Sequence, residues 1–222
     1  AAPPRLYSHV RVSPDGTRIA LESDEGEQDI WVWHVSRHTQ TRVTTDPGPD
    51  EAPVWTPDGR RLIFTSQAGG VLGSLFSQAA DGTGVAERLT DGTPIHRATA
   101  FLPGGQGIVF LEGPVLKALR LGAPRAIETL VPFAVDAVVS PDGRWLAYTG
   151  LDSGVPHVYV SALASPGAGR TQVTPVGGTQ PRWAPSGREL YYNGPDGMLM
   201  AVPINAVGPI APFAPGPPTR VL

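Results

Sequence analysis

The residues able to do chemistry are few, and their spacing limits what they could do. No cysteine is present, so disulfides, thiolate catalysis and cysteine-ligated zinc are excluded. His34 and His38 stand four apart, a separation that gathers two metal ligands only on a helix, whereas this stretch reads as a strand and turn. Glu22, Asp24, Glu25, Glu27 and Asp29 could attract a calcium ion through carboxylate oxygens but lack the ordered alternation of a calcium loop, and a charged hairpin tip accounts for them. His157 reads as a turn cap. There is no G-x-S-x-G elbow, H-E-x-x-H, phosphate-binding loop or dinucleotide fingerprint, so neither a catalytic residue nor a metal or cofactor site is expected. The polar set His9, Glu51, Arg97, Asp136 and Gln180 is more suggestive, because each member lies four or five residues before a Pro-Gly turn. Convergent polar groups of this kind suit a small polar ligand, a peptide terminus or a cation.

Those turns define the elements that must position the set. Ser13-Pro14-Asp15-Gly16 returns as Thr56-Pro57-Asp58-Gly59, loosely as Leu102-Pro103-Gly104-Gly105, then as Ser140-Pro141-Asp142-Gly143 and Ala184-Pro185-Ser186-Gly187, with starts 43, 46, 38 and 44 residues apart. Proline presets φ, aspartate binds backbone N–H groups ahead of it, and glycine accepts a positive φ, so each copy is a tight turn. An apolar triplet follows each: Ile19-Ala20-Leu21, Leu62-Ile63-Phe64, Ile108-Val109-Phe110, Leu146-Ala147-Tyr148 and Leu190-Tyr191-Tyr192. A third run comes next, then a short closing one such as Val43-Thr44 or, in the third unit, Ala126-Ile127. Four short strands per unit of about 40–45 residues is the period of a β-propeller blade.

The fold expected is therefore all-β, a single β-propeller domain over residues 1–222 with five consecutive four-stranded blades at 7–45, 46–90, 91–130, 131–174 and 175–222. The triplets do not alternate apolar with polar, as a sandwich strand with one wet face would, so each sheet should be covered on both sides. No helix is expected. Strand A is innermost in a propeller, which would put the five polar residues near one mouth of the central channel. Trp31, Trp33, Trp55, Trp145 and Trp183 fall on strands and read as core between blades. Asp15, Asp58 and Asp142 recur in one structural slot, so the turn itself requires them.

Composition fits this picture. Glycine (27) and proline (25) are abundant and spread between apolar runs, which implies many turns. A net charge of −3 offers no basic surface for nucleic acid or an anionic membrane. The apolar stretch from Met198 is broken by prolines from Pro203 onward, so no membrane insertion is expected. With Ala1 in place of an initiator methionine, the segment is expected to be a processed product or an excised piece of something longer.

At these residues the chain resembles the TolB-like (WD-like repeat) propellers, whose repeat runs aromatic-Ser-Pro-Asp-Gly, an Ile-Ala-Phe-type strand, Asp-Ile-Trp/Tyr-Val, then Leu-Thr. Ser13–Gly16, Ile19–Leu21, Asp29-Ile30-Trp31-Val32 and Val43-Thr44 match it in the first blade, and Ser140–Gly143, Leu146–Tyr148 and His157-Val158-Tyr159-Val160 in the fourth. Blade 3 departs most, lacking the aspartate of the turn. The resemblance implies six or more blades in the complete ring, of which five would be an incomplete portion. It further implies a non-catalytic sensor or scaffold module that holds a protein or small polar ligand, in the periplasm or otherwise outside the cytoplasm. The region from Trp145 to Pro203 also resembles propellers that follow bacterial Ser/Thr kinase or regulatory domains, which would make such a domain an attached partner. The rival expectation is the substrate-filtering propeller of a prolyl-oligopeptidase-like serine peptidase.

Overall fold

In the computed structural model, residues 6–23, 28–70, 72–205 and 212–221 are described. They form five four-stranded antiparallel sheets, each strand paired with its neighbour in sequence. Blade 1 holds β1 (Tyr7–Val12), β2 (Arg18–Ser23), β3 (Asp29–His34) and β4 (Thr39–Arg42), and blade 2 holds β5 (Asp50–Trp55), β6 (Arg61–Ser66), β7 (Ser74–Ala79) and β8 (Glu87–Arg88). Blade 3 holds β9 (His96–Phe101), β10 (Gly107–Glu112), β11 (Val115–Arg120) and β12 (Ala126–Pro132). Blade 4 holds β13 (Ala134–Val139), β14 (Trp145–Gly150), β15 (His157–Ala162) and β16 (Thr171–Gln172). Blade 5 holds β17 (Thr179–Trp183), β18 (Glu189–Asn193), β19 (Leu199–Pro203) and β20 (Thr219–Arg220). The five-bladed arrangement is the expected one. No α-helix occurs among the described residues; only two three-residue 3-10 turns do, at Ala68–Gly70 and Pro103–Gly105.

The chain divides into two compact units, residues 1–105 with 110–113, and residues 106–109 with 114–222. In the first, Ala20, Ile30, Val32 and Val43 of blade 1 form one core with Trp55, Leu62, Phe64 and Ala80 of blade 2. In the second, Ala147, Val158, Val160 and Val173 join Leu190, Tyr192 and Val202. Burial along β6 and β14 is continuous after the first residue, as sheets covered on both faces require.

Three of the turns are held by their own side chains. The Ser13 hydroxyl donates to Asp15 Oδ1 at 2.5 Å and accepts the Arg18 N–H at 2.9 Å, while Asp15 also accepts the Thr17 N–H. Thr56 with Asp58 and Ser140 with Asp142 repeat this at 2.6 Å. These bonds favour the carboxylate: Asp15 is lowered to about 2 and Asp58 is lowered too, while Asp142, which burial alone would raise, is lowered by its Ser140 and Arg144 bonds. Blade 3 keeps the closing backbone bond, Gly105 N–H to Leu102 O at 3.1 Å, because Gly104 and Gly105 both adopt left-handed φ, 65° and 70°. The lost aspartate is thus replaced by backbone freedom.

The Leu-Thr end of the repeat has an equally local reason. Thr44 Oγ1 accepts the Ile30 N–H at 3.0 Å and donates to Asp29 Oδ1, while Arg42 pairs with Asp29 at 2.6 Å. In blade 4, Thr174 Oγ1 accepts the Val158 N–H and meets His157 Nδ1 at 3.0 Å, so His157 takes the place of Asp29 as a cap. One strand exceeds expectation. The closing run of blade 3, expected at Ala126-Ile127 and ending by 130, extends through seven residues to Pro132, because Leu130 and Val131 are buried and anchor its far end.

Candidate functional site

The geometry of strand A is set by a bulge. In β1, Ser8 pairs with Glu22 and Arg11 with Ala20, so His9 and Val10 together oppose Leu21 alone. The same skip places Ala52-Pro53, Asp136-Ala137 and Gln180-Pro181 opposite one residue each in β5, β13 and β17. The first residue of each pair is left-handed: φ is 48° at His9, 54° at Ala52, 54° at Asp136 and 56° at Gln180. Such a conformation costs a non-glycine residue roughly 1–2 kcal/mol, and a bulge re-aims the side chain it carries.

A side chain of the preceding blade binds the backbone at two of these positions, Ala52 and Gln180, and at His96 of β9. Glu22 Oε2, nearly buried, accepts the Ala52 N–H at 3.1 Å and pairs with His9 Nδ1 at 2.8 Å. Thr149 Oγ1 accepts the Gln180 N–H at 3.2 Å. Thr65 Oγ1 donates to the His96 carbonyl at 2.8 Å. Glu22, Thr65 and Thr149 each directly follow the apolar triplet of their blade, which places them in one slot of the repeat. Sequence reasoning missed that slot, assigning Glu22 to a hairpin tip; a polar residue after the triplet in four of the five copies was the available signal.

Two polar sets result, one in each unit. In the first, the Arg97 guanidinium donates to Glu51 Oε2 at 3.0 Å, with Glu51 mostly covered and Arg97 half exposed. The hydrogen bond from Glu22 raises His9, against some desolvation. Burial alone would raise Glu22; the bonds from His9 and the Ala52 N–H outweigh it, and the net direction is down. In the second, Thr149 Oγ1 donates to Asp136 Oδ2 at 3.4 Å, and Asn193 Nδ2 donates to Gln180 Oε1 at 2.9 Å. Asp136 and Gln180 are thereby linked through Thr149.

Of the five expected residues, His9, Asp136 and Gln180 occupy the left-handed bulge position. Glu51 sits one residue before it, where Ala52 takes the bulge, and Arg97 lies in a strand without a positive φ. Sequence reasoning also missed His96, buried at 3% exposure, whose Nδ1 meets Thr90 Oγ1 at 2.9 Å and whose Nε2 meets Glu112 Oε2 at 3.0 Å. Among the described residues no group of three or more His, Cys, Asp or Glu could hold a metal ion. His38 instead lies tilted against Trp33, with ring centroids 6.1 Å apart. Of the acidic stretch, Asp24, Glu25 and Glu27 lie outside the described residues, and Asp29 serves Thr44 and Arg42. Trp55 is core, its Nε1 donating to the Arg11 carbonyl with Arg18 over the ring; Trp145 and Trp183 are half buried against Phe213.

The five four-stranded sheets define a β-propeller fold, one that is also found in TolB. TolB from Acinetobacter baumannii superposes with a TM-score of 0.76 at 21% identity, over 90% of this chain and 52% of that one. In sequence, 86 residues (36% of this chain) are 33% identical to the "Uncharacterized peptidase YuxL" of Bacillus subtilis strain 168, and 55 residues (24%) are 36% identical to the Tol-Pal system protein TolB of Alcanivorax borkumensis. The matched part is 13% of the length of either curated relative. No family model matches the chain.

Proposed function

We propose that this chain is a non-catalytic binding module of a larger bacterial protein, working outside the cytoplasm, and that it holds a protein or small polar ligand through the groups around its strand-A bulges. The observation that carries this reading is the recurrence of a left-handed bulge position bearing His9, Asp136 or Gln180, held at Gln180, as at Ala52, by a side chain of the preceding blade. Strain held in the same slot by bonds from a preceding blade is a device for aiming side chains. Glu51 and Arg97 belong to the site as an ion pair beside the His9–Glu22 pair. The fold shared with TolB supports a propeller serving as a scaffold, and an attached kinase or regulatory domain would be its effector.

The test is affinity capture from a periplasmic extract, comparing the wild-type chain with the Glu51→Ala/Asp136→Ala double variant. A protein retained by the first and lost by the second is the expected result. Equal retention of the same protein would overturn the site. The second reading, a substrate-filtering propeller of a serine peptidase, is favoured by the 86-residue stretch that is 33% identical to the peptidase-named relative. It requires a nucleophile elbow in the parent gene downstream of Leu222, so sequencing that gene decides between the two.

A further inference from the structure

The outer strand of a blade is a sheet edge, and an edge exposes backbone N–H and C=O groups that can template another strand. Four of the five blades shorten it: β4 has four residues, and β8, β16 and β20 have two each. Blade 3 does not. β12 runs for seven residues, pairs only with β11, and leaves Ala126, Ile127, Glu128 and Thr129 exposed, with Ile127 at 49%. Along Ala126–Thr129 it carries no lysine and no proline, and its one charged side chain, Glu128, is paired with Arg120 at 2.6 Å.

A cavity of about 300 Å³ opens where this free edge ends. The register of β12 on β11 skips at Leu130, and Leu130 and Pro132 then form one wall, with Phe133, Tyr148, Asp152 and Arg170 around the rest. Its volume is at the low end of the about 300–1,000 Å³ of small-ligand sites, room for a side chain more than for a folded surface. Phe133 stands at the rim with φ 51° and 59% exposure, an uncommon conformation for a bulky residue. Arg170 is fixed opposite, paired with both oxygens of Asp152 at 3.2 and 2.7 Å and lying 3.9 Å over the Tyr159 ring. The cavity is therefore built before anything enters it.

We propose that β12 and this cavity form a second binding site, independent of the strand-A groups, which takes an extended peptide segment of a partner protein by strand addition. The segment's backbone pairs along Ala126–Thr129, and one aromatic or large aliphatic side chain enters the cavity past Leu130.

The probe is the capped peptide acetyl-Glu-Thr-Val-Thr-Phe-Val-Glu-amide, added to the full chain. Saturable binding is expected, with amide exchange at residues 126–129 slowed by about tenfold. Methylating alternate backbone nitrogens on its pairing edge, or replacing its phenylalanine with serine, should each weaken binding by about tenfold. Phe133→Gly, which a left-handed φ tolerates, should weaken the parent peptide but not the serine peptide, with the thermal midpoint reported alongside. Absent binding, protection elsewhere, or equal affinity of the methylated peptide would overturn strand addition. Equal affinity of the serine peptide would overturn the cavity's role. Protection of 126–129 without peptide, accompanied by dimer in sedimentation, would overturn the partner assignment in favour of a second copy.

Discussion

Thr149 Oγ1, on β14, accepts the backbone N–H of Gln180, the left-handed residue of the bulge in β17, at 3.2 Å. One hydroxyl thus satisfies a donor that the bulge takes out of its own ladder, and it also reaches Asp136. Thr149→Val removes the acceptor while keeping the shape, and leaves a part-buried N–H without this partner at a cost of about 1 kcal/mol. Chemical denaturation should show that loss, and Thr149→Ser should recover most of it.

Asp50 has the opposite problem. It is 1% exposed, its Oδ1 has no hydrogen-bond partner, and burial raises it to about 6 in spite of the Ser66 hydroxyl. A folded value above the unfolded one of about 3.9 means that the native state binds the proton more tightly, so stability falls as pH rises from about 4 to about 6 and stays reduced above that. Asp50→Asn should therefore raise the thermal midpoint at pH 7.5, by roughly 1–3 kcal/mol of stability, and change it little at pH 4.

The turn carboxylates work the other way. Asp15 is lowered to about 2 by the Ser13 hydroxyl first and the Thr17 N–H second. Its stabilisation is present above the unfolded value of about 3.9 and disappears as pH falls through about 2. A side-chain NMR titration should place Asp15 well below an ordinary aspartate, and Ser13→Ala should move it back up. Asp58 should respond in the same direction to Thr56→Ala.

Two glycines face aromatic rings rather than turns. A Cβ on Gly150 would lie 2.7 Å from the Tyr159 ring, and one on Gly178 2.6 Å from the Tyr192 ring. Gly150→Ala and Gly178→Ala should each destabilise by about 1–3 kcal/mol through overpacking. Gly122, with open space around its Cβ direction, is the control. Calorimetric midpoints of the three variants check this.

The blades were legible because their signals are local. Ser-Pro-Asp-Gly closes on itself through Ser13 and Asp15, and Thr44 caps the strand that begins at Asp29, so each copy states its own turn and its own boundary. The departure in blade 3 was legible as well, although its solution, two left-handed glycines, was not stated by the missing aspartate. The length of β12 was not legible, because it depends on Leu130 and Val131 finding burial against residues distant in sequence.

The sequence by itself determined the number of sheets, their four-strand order and the polar character of strand A, since these follow from turn chemistry and apolar runs read within about 45 residues. Only the tertiary structure decided that Ala52 and not Glu51 takes the bulge, that Glu22 and Thr149 hold the blade that follows, and that Asp50 is buried with an oxygen unpaired. Those outcomes depend on which backbone groups meet across neighbouring sheets, and a left-handed φ at His9, Ala52, Asp136 or Gln180 has no residue type that announces it.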